Sequence, residues 1–402
     1  MMDNASSIEL VSGLRADRIE RVATVDEVSG LLRAAGEASE TVAPFGGKRS
    51  LGTGSDKVSA THGMDLTGLS GVLAYEPADL TVSVRTGTTW AEIQRVLGEQ
   101  GQELPLDIPD PERTTVGGVV ATGFAGARRL RSGTLKDLLI GCEFVRGDGM
   151  VAKAGGMVVK NVSGFEIPRF LHGSWGALAV VTSVNLKVVP KPRADGTLVS
   201  TGHAWSEAIE LARSLVGGES PVEAVAVEID GGQASIAVRA TGRASAVTST
   251  LGSARSAVDG REDLTRLDGA DSTGYWQGLV DGYSEDDGRI VVALACRPQE
   301  VSGVVEKLVE AASGASISVM PGYGGVRVRL DAADDVTSAG ALRSLTGAAT
   351  NAGASYVIES APVDLRGEFK AWGEEPDGIS VMRAVKAQFD PNGVLNPGRL
   401  IV

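Results

Sequence analysis

The stretch from Thr114 to Gly133 constrains this chain more than any other, because five glycines fall within the seventeen residues Gly117 to Gly133. It opens Thr114-Thr115-Val116-Gly117-Gly118-Val119-Val120-Ala121-Thr122-Gly123-Phe124-Ala125-Gly126. Glycine at that density weakens a helix or a strand, so the sequence predicts a backbone that something bulky and flat must approach closely. Two further clusters stand apart from it. In Pro44-Phe45-Gly46-Gly47-Lys48-Arg49-Ser50 a strand ends in two glycines and then two cations, a composition whose N–H groups can close on a phosphate. A plain surface turn is the competing reading of the same residues. In Gly173-Ser174-Trp175-Gly176-Ala177-Leu178-Ala179-Val180-Val181 a small-residue turn feeds a strand. The first cluster is not a P-loop, since no second glycine stands before a Lys-Ser/Thr pair. No Gly-x-Gly-x-x-Gly follows the first strand, which disfavours a dinucleotide-binding βαβ unit.

Around these clusters the first half alternates helices and strands. Thr24-Val25-Asp26-Glu27 has the form of a capping box, and Val28, Leu31, Leu32 and Ala35 follow at helical spacing. Thr41 to Phe45 reads as a strand, as does Leu80 to Arg85, and Thr89-Trp90-Ala91-Glu92 opens a second capped helix that Gly101 ends. Leu138 to Val145 with the Gly147-Asp148-Gly149 turn predicts a hairpin, and Leu178 to Val189 is a strand stopped by Pro190-Lys191-Pro192. Those prolines, followed by polar Arg193-Ala194-Asp195-Gly196, mark the expected domain boundary. Beyond them, paired strands Val222 to Ile229 and Gln233 to Ala240, further strands near Ile290, Ser316 and Val326, and helices near Ser206, Gln299 and Ser338 predict an α+β layer with helices on one face of an antiparallel sheet.

Composition removes several functions. A chain of 402 residues predicts two domains. With 51 acidic against 38 basic residues the net charge is −13, which repels a phosphate backbone, so nucleic acid is not an expected partner. The start, Met1-Met2-Asp3-Asn4, has neither a basic nor an apolar leader region, and the apolar runs are strand-length, so a cytoplasmic protein with no transmembrane segment is expected. Cys142 and Cys296 are too few for the four thiolates of an iron–sulfur cluster and read as inert apolar cysteines. His62, His172 and His203 show no paired ligand spacing, so no metal is expected, and His62 reads as a polar-surface histidine.

Taken in order, these segments resemble a known family. Pro-x-Gly-Gly, Leu104-Pro105-Leu106-Asp107 with the long glycine stretch, Val159-Lys160-Asn161-Val162-Ser163-Gly164-Phe165, Gly173-Ser174-Trp175-Gly176, and the tail Phe389-Asp390-Pro391-Asn392-Gly393-Val394-Leu395-Asn396-Pro397-Gly398-Arg399-Leu400 are similar to the vanillyl-alcohol-oxidase/PCMH flavoproteins. Within them the chain most resembles FAD-binding subunits of glycolate oxidases. The resemblance implies an α+β architecture: a PCMH-type FAD-binding domain of two α/β subdomains over residues 1–192, an α+β cap over 193–375, and a tail, 376–402, that returns to the FAD domain. Carried across position by position, it implies that Pro44, Phe45, Gly46, Gly47, Lys48, Arg49 and Ser50 face the FAD pyrophosphate. Pro105, Asp107, Thr114, Thr115, Gly117, Gly118, Ala121, Thr122, Gly123 and Gly126 would wrap the ribityl chain and ring, with Arg128 and Gly133 also among the cofactor residues. Gly176, Val180 and Val181 would complete the adenine or ring side, and Asn396 would close the site from the tail.

This sequence departs from the family at three places. Lys48 stands where many relatives carry a third glycine. Trp175 stands where the wider superfamily often has a glutamate. The glycine loop lacks the His or Cys that tethers flavin covalently, so FAD is expected to be non-covalent. Many catalytic relatives carry a histidine late in the cap, whereas Met320 to Leu330 has none. There Arg327 and Arg329 alternate with Val326, Val328 and Leu330, which makes them, with Tyr323, candidate anchors for a substrate carboxylate; an exposed charged sheet face is the plainer reading. Glu359 and Trp372 resemble the same subgroup without a derivable role. Three functions stay open. One is an FAD subunit that passes electrons from a small 2-hydroxy acid toward an iron–sulfur subunit, beside a second flavoprotein subunit and membrane-associated only through partners. The others are a self-sufficient flavin oxidoreductase and a structural FAD-holding subunit.

Overall fold

A computed structural model describes residues 8–11, 14–54, 58–157, 165–258, 263–282, 289–312 and 314–401. The motif Val159 to Gly164 lies outside the described residues. The chain divides into two compact units, one made of residues 1–124, 134–191 and 375–402, the other of 125–133 and 192–374.

The first unit holds two larger sheets and a two-stranded one that pairs Gln102–Glu103 with Val189–Pro190. In the four-stranded one, Leu14–Arg21, Val58–Asp65 and Val42–Phe45 run parallel, and Ile8–Val11 adds an antiparallel edge. The helix Val25–Ala38 begins at Thr24, whose side chain accepts from the Glu27 N–H while Glu27 returns a bond to the Thr24 N–H, the reciprocal cap predicted from sequence. Its buried Val28, Leu32 and Ala35 pack with Val42, Met64, Val145 and Val180. The other sheet has five antiparallel strands, in the spatial order Val72–Glu76, Thr81–Arg85, Ala179–Lys187, Leu139–Arg146 and Val151–Gly155. The last two form the expected hairpin.

Two expectations are corrected here. His62 is not a surface residue, since its side chain is 5% exposed and sits within 2.8 Å of Glu40 Oε2 and 3.1 Å of Glu20 Oε1. The parallel strand that carries it is interior to its sheet; the neighbouring strand Leu14–Arg21 supplies Glu20, and Glu40 comes from the connection before Val42–Phe45. The glycine stretch is also less irregular than composition implies, because Val116–Thr122 is a short helix capped by the Thr115 hydroxyl, which accepts from the Gly118 N–H (3.1 Å).

The second unit is built on one antiparallel eight-stranded sheet. Alternation sends Val225, Val227, Ile236, Val238, Val319, Val326, Val328 and Val292 to one face, where they pack into a core with the helices Trp205–Gly217, Ala244–Ala257, Val301–Ala311 and Asp335–Asn351. The opposite face carries smaller and polar residues. Ala224, Ala226, Ala237 and Met320 meet Trp276 of the helix Ala270–Asp281 there, so helices are not confined to one face as the sequence predicts. The strand Ala194–Ala204 starts directly after Arg193, and the Arg239 guanidinium grips its Asp195 (3.1 and 2.6 Å), which makes a charged residue compatible with the sheet.

Candidate functional site

In the first unit the separated glycine clusters meet. Residues 114–117 are stitched to 86–90, with Trp90 N–H donating to the Thr114 carbonyl (2.8 Å) and Gly117 N–H to the Thr86 carbonyl (2.8 Å). The Gly46–Gly47 loop lies on this segment so closely that a Cβ on Gly47 would sit 1.8 Å from the Arg113 carbonyl oxygen, so Gly47 is demanded by the protein itself. The Gly173–Gly176 turn docks against the short helix through Gly173 N–H to the Val120 carbonyl and Trp175 N–H to the Ala121 carbonyl, both 2.9 Å. Lys48 takes φ 60°, the left-handed conformation natural to the glycine it replaces, and its ammonium lies 5.0 Å from the centre of the Phe45 ring.

The C-terminal tail closes the assembly. Leu395 pairs in parallel with Val42, the Val42 N–H donates to the Val394 carbonyl (2.8 Å), and the Asn396 N–H donates to the Val42 carbonyl (2.9 Å). The Asn396 side-chain amide donates to the Trp175 carbonyl (2.8 Å). Arg399 donates to the carbonyls of Ser50 and Leu51, and its guanidinium lies 5.3 Å from the Trp175 ring centre. One tail thus joins the first and third glycine clusters.

Of the residues expected at the cofactor, Pro44, Gly46, Gly47, Lys48, Arg49, Ser50, Gly117, Gly118, Ala121, Thr122, Gly123, Gly176 and Asn396 are half-buried, and Pro105, Asp107, Thr114 and Thr115 are buried. Gly118 separates cofactor demands from protein demands. A Cβ there would meet nothing in the chain closer than the Thr115 hydroxyl at 3.4 Å, so nothing in the fold forbids a side chain. A flat, extended group lying against small residues and main-chain N–H groups fits this surface. The hydroxyls of Thr114, Thr115 and Thr122 serve the loop itself, through the Pro109 carbonyl (2.6 Å), the Gly118 N–H (3.1 Å) and the Gly118 carbonyl (2.9 Å).

Several residues expected at the cofactor have side chains engaged within the protein. The Phe45 side chain is buried with Leu10, Leu14, Leu51 and Ala60, and Val180 is buried with Val28, Leu32 and Val145, because both occupy inward positions of their strands. Val181 is half-buried, and its carbonyl accepts from the Thr86 hydroxyl (2.7 Å). Gly126, Arg128 and Gly133 belong to the second unit. There buried Arg128 makes an ion pair with Glu223 (3.0 Å).

On the polar face of the second unit's sheet, Arg327 is engaged bidentately by Glu359 (3.0 and 3.1 Å), and both side chains are about one-fifth exposed. Arg327, a candidate anchor in the sequence, thus has a carboxylate partner within the protein. Arg329 donates to the uncharged Gly282 carbonyl (2.6 Å), and the Tyr323 ring lies 5.2 Å from the Arg129 guanidinium. Sequence reasoning missed Glu228. It pairs across the sheet with Ser318, whose hydroxyl donates to Oε2 (2.6 Å), while Oε1 is buried with no hydrogen-bond donor among the described residues. Burial pushes its carboxyl up to about 7, against the pull of Ser318 and Arg329. A lone Glu in the strand Ala-Val-Ala-Val-Glu-Ile-Asp was the available signal.

Cys142 is buried, which pushes its thiol up to about 12, while Cys296 is half-buried. Among the described residues no three His, Cys, Asp or Glu side chains converge to hold a metal ion, and no described helix is long and apolar enough to cross a membrane.

Residues 16–165 match the family model of the FAD binding domain, and residues 369–400 match the C-terminal domain of FAD linked oxidases. The chain therefore carries an FAD-binding oxidoreductase domain of the vanillyl-alcohol-oxidase/PCMH kind, related to glycolate oxidase subunits, and FAD is its cofactor. Among its relatives, glycolate oxidase subunit GlcE of Escherichia coli (strain K12) is 40% identical over 144 residues, 35% of this chain and 41% of that protein. D-lactate dehydrogenase of Archaeoglobus fulgidus is 31% identical over 197 residues, 48% of this chain and 44% of that protein. The chain spans less than half the length of these curated relatives. The fold is shared with alkyldihydroxyacetonephosphate synthase, at a TM-score of 0.71 and 16% identity over 95% of this chain and 77% of the other.

Proposed function

We propose that this chain is the FAD-carrying subunit of a glycolate-type 2-hydroxy-acid oxidase or dehydrogenase, passing electrons toward an iron–sulfur subunit beside a second flavoprotein subunit. The observation that carries the reading is the 40% identity to a glycolate oxidase subunit, over a stretch longer than that of any single motif. Bound FAD supplies the acceptor for hydride from a substrate carbon. The chain's own residues would hold it without a covalent bond. Main-chain N–H groups of Gly46 to Ser50 would face the pyrophosphate, the surface from Thr114 to Gly123 would take the ribityl chain and ring, and Asn396 and Arg399 would fasten the tail over both. The two cysteines of the sequence leave any iron–sulfur cluster to a partner. The protein would work in the cytoplasm and meet a membrane only through its partners.

A self-sufficient 2-hydroxy-acid oxidoreductase is the second reading, favoured by the 31% identity to D-lactate dehydrogenase of Archaeoglobus fulgidus, with Arg327 or Arg329 as its carboxylate anchor. The test is to purify the chain alone, record its visible spectrum and add glycolate or lactate without oxygen. A flavin spectrum that persists until a cysteine-rich partner is supplied supports the subunit reading. Rapid bleaching by the chain alone, sensitive to Arg327→Gln or Arg329→Gln, supports the second. Absence of flavin refutes both.

A further inference from the structure

Lys48 occupies a place in the first glycine loop where the backbone favours glycine. Its φ of 60° is left-handed, a conformation that strains any residue carrying a Cβ. The loop has no slack with which to relieve that strain. A Cβ on Gly46 would strike the Thr115 side chain and one on Gly47 the Arg113 carbonyl, so the two residues before Lys48 are pressed against residues 113–115. On its other side the carbonyls of Ser50 and Leu51 are held by Arg399 of the tail. Lys48 is thus pinned from both ends in a conformation that glycine would adopt at less cost. What the lysine adds is a half-buried charge, its ammonium 5.0 Å from the centre of the Phe45 ring. That ring belongs to the core beneath the loop, so the contact fixes where the charge stands. It is a weaker contact than a charge-assisted bond to a phosphate oxygen.

The charge matters because of what the loop has to hold. FAD carries its negative charge on a diphosphate, and a chain with a net charge of −13 repels an anion at long range. Main-chain N–H groups answer with partial charges, whereas an ammonium answers with a full one. We propose that Lys48 is the ion-pair partner of the FAD diphosphate, a side-chain anchor added to the main-chain donors of Gly46 to Ser50, and that loading of the protein with FAD therefore depends on salt. The proposal rests on FAD as the cofactor of these glycine clusters and names the residue that carries the charge. The strain at Lys48 persists because the glycine that would relieve it has no ammonium.

The experiment is equilibrium titration of the full-length apoprotein with FAD, followed by the change in flavin fluorescence, at salt from about 0.05 to about 0.5 M. Wild type should bind more weakly as salt rises. Lys48→Gln should bind about ten- to a hundredfold more weakly at low salt, the span of a hydrogen bond to a charged group, and should lose the fall with salt. Lys48→Arg keeps the charge and should keep both the affinity and its salt dependence. Lys48→Gly separates charge from fold: it should weaken FAD as Lys48→Gln does, while the urea midpoint of the apoprotein holds or rises, because glycine relieves the left-handed strain. Equal affinity of wild type and Lys48→Gln at low salt overturns the proposal. So does a loss of the same size at every salt, or one that accompanies a lowered midpoint in Lys48→Gly, since either makes Lys48 a residue of the fold and not of the diphosphate. Failure of wild type to take up FAD at any salt overturns the flavin reading itself, and is told apart by the absence of any signal to compare.

Discussion

Asp390 should be among the least replaceable residues of the tail, and its cost can be worked from its contacts. The carboxylate side chain is fully buried; Oδ1 accepts from the Val394 N–H and Oδ2 from the Leu395 N–H, each at 2.9 Å, and Lys386 pairs with it. Asp390→Ala strands two buried N–H groups, at about 1–3 kcal/mol each. The Lys386 ammonium keeps the carbonyls of Ala177 and Leu395 (2.7 and 3.0 Å), which softens the loss of its counter-ion. The sum, about 2–6 kcal/mol, brackets the usual cost of about 3–5 kcal/mol for breaking a buried pair and takes much of the roughly 5–15 kcal/mol that holds a domain folded. Asp390→Asn keeps one acceptor oxygen and should cost about half as much. Urea unfolding followed by flavin release is the assay, and Asp390→Ala should lower the midpoint by about 1–3 M. Flavin release should shift with it, because Asn396 and Arg399 hang on the same tail. A loss below about 1 kcal/mol would show that the tail is held by other contacts and that the reasoning is wrong.

Three further outcomes are expected. Gly118→Val should fold normally and purify with little FAD, since its Cβ makes only an ordinary contact with the Thr115 hydroxyl at 3.4 Å, whereas Gly47→Ala should lose stability whether or not flavin is bound, because its Cβ would strike the Arg113 carbonyl; the ratio of flavin to protein absorbance and the unfolding midpoint separate the two. Acid precipitation should leave a yellow supernatant, and flavin remaining on a peptide would refute the non-covalent reading. Glu228 is raised from 4.5 to about 7, so the stability it contributes is full below about pH 4.5 and lost as pH rises through about 7. Relative to wild type, Glu228→Gln should therefore gain up to about 3 kcal/mol between pH 5 and pH 8, read from paired urea melts.

Local order was well marked in the sequence. The Thr24–Glu27 box, the hairpin at Gly147 to Gly149, and the strand from residue 178 are short-range patterns, and each forms near where its residues say. What sequence spacing does not encode is the partner across a sheet. Phe45 and Val180 sit in motifs that read as cofactor contacts, yet strand alternation turns both side chains into the core. Arg128 lies in the glycine stretch but answers to Glu223, 95 residues away, and so belongs to the second unit.

The same limit explains why the two glutamates of the polar sheet face were legible to different degrees. Glu359 stands in a motif that drew notice without a role, and its role is to occupy Arg327. Glu228 drew none, because a glutamate alternating with valines and an isoleucine reads as the solvent side of an amphipathic strand. It is buried because that strand is interior to an eight-stranded sheet and the helix Ala270–Asp281 packs on the same face, a helix whose Trp276 donates to the Thr197 hydroxyl (2.8 Å) and meets Ala224, Ala226 and Ala237. Alanines in a strand look like weak core positions in one dimension. In three they make room for a helix on what would otherwise be the wet side, and it is this room that turns an ordinary surface carboxylate into one poised near neutral pH.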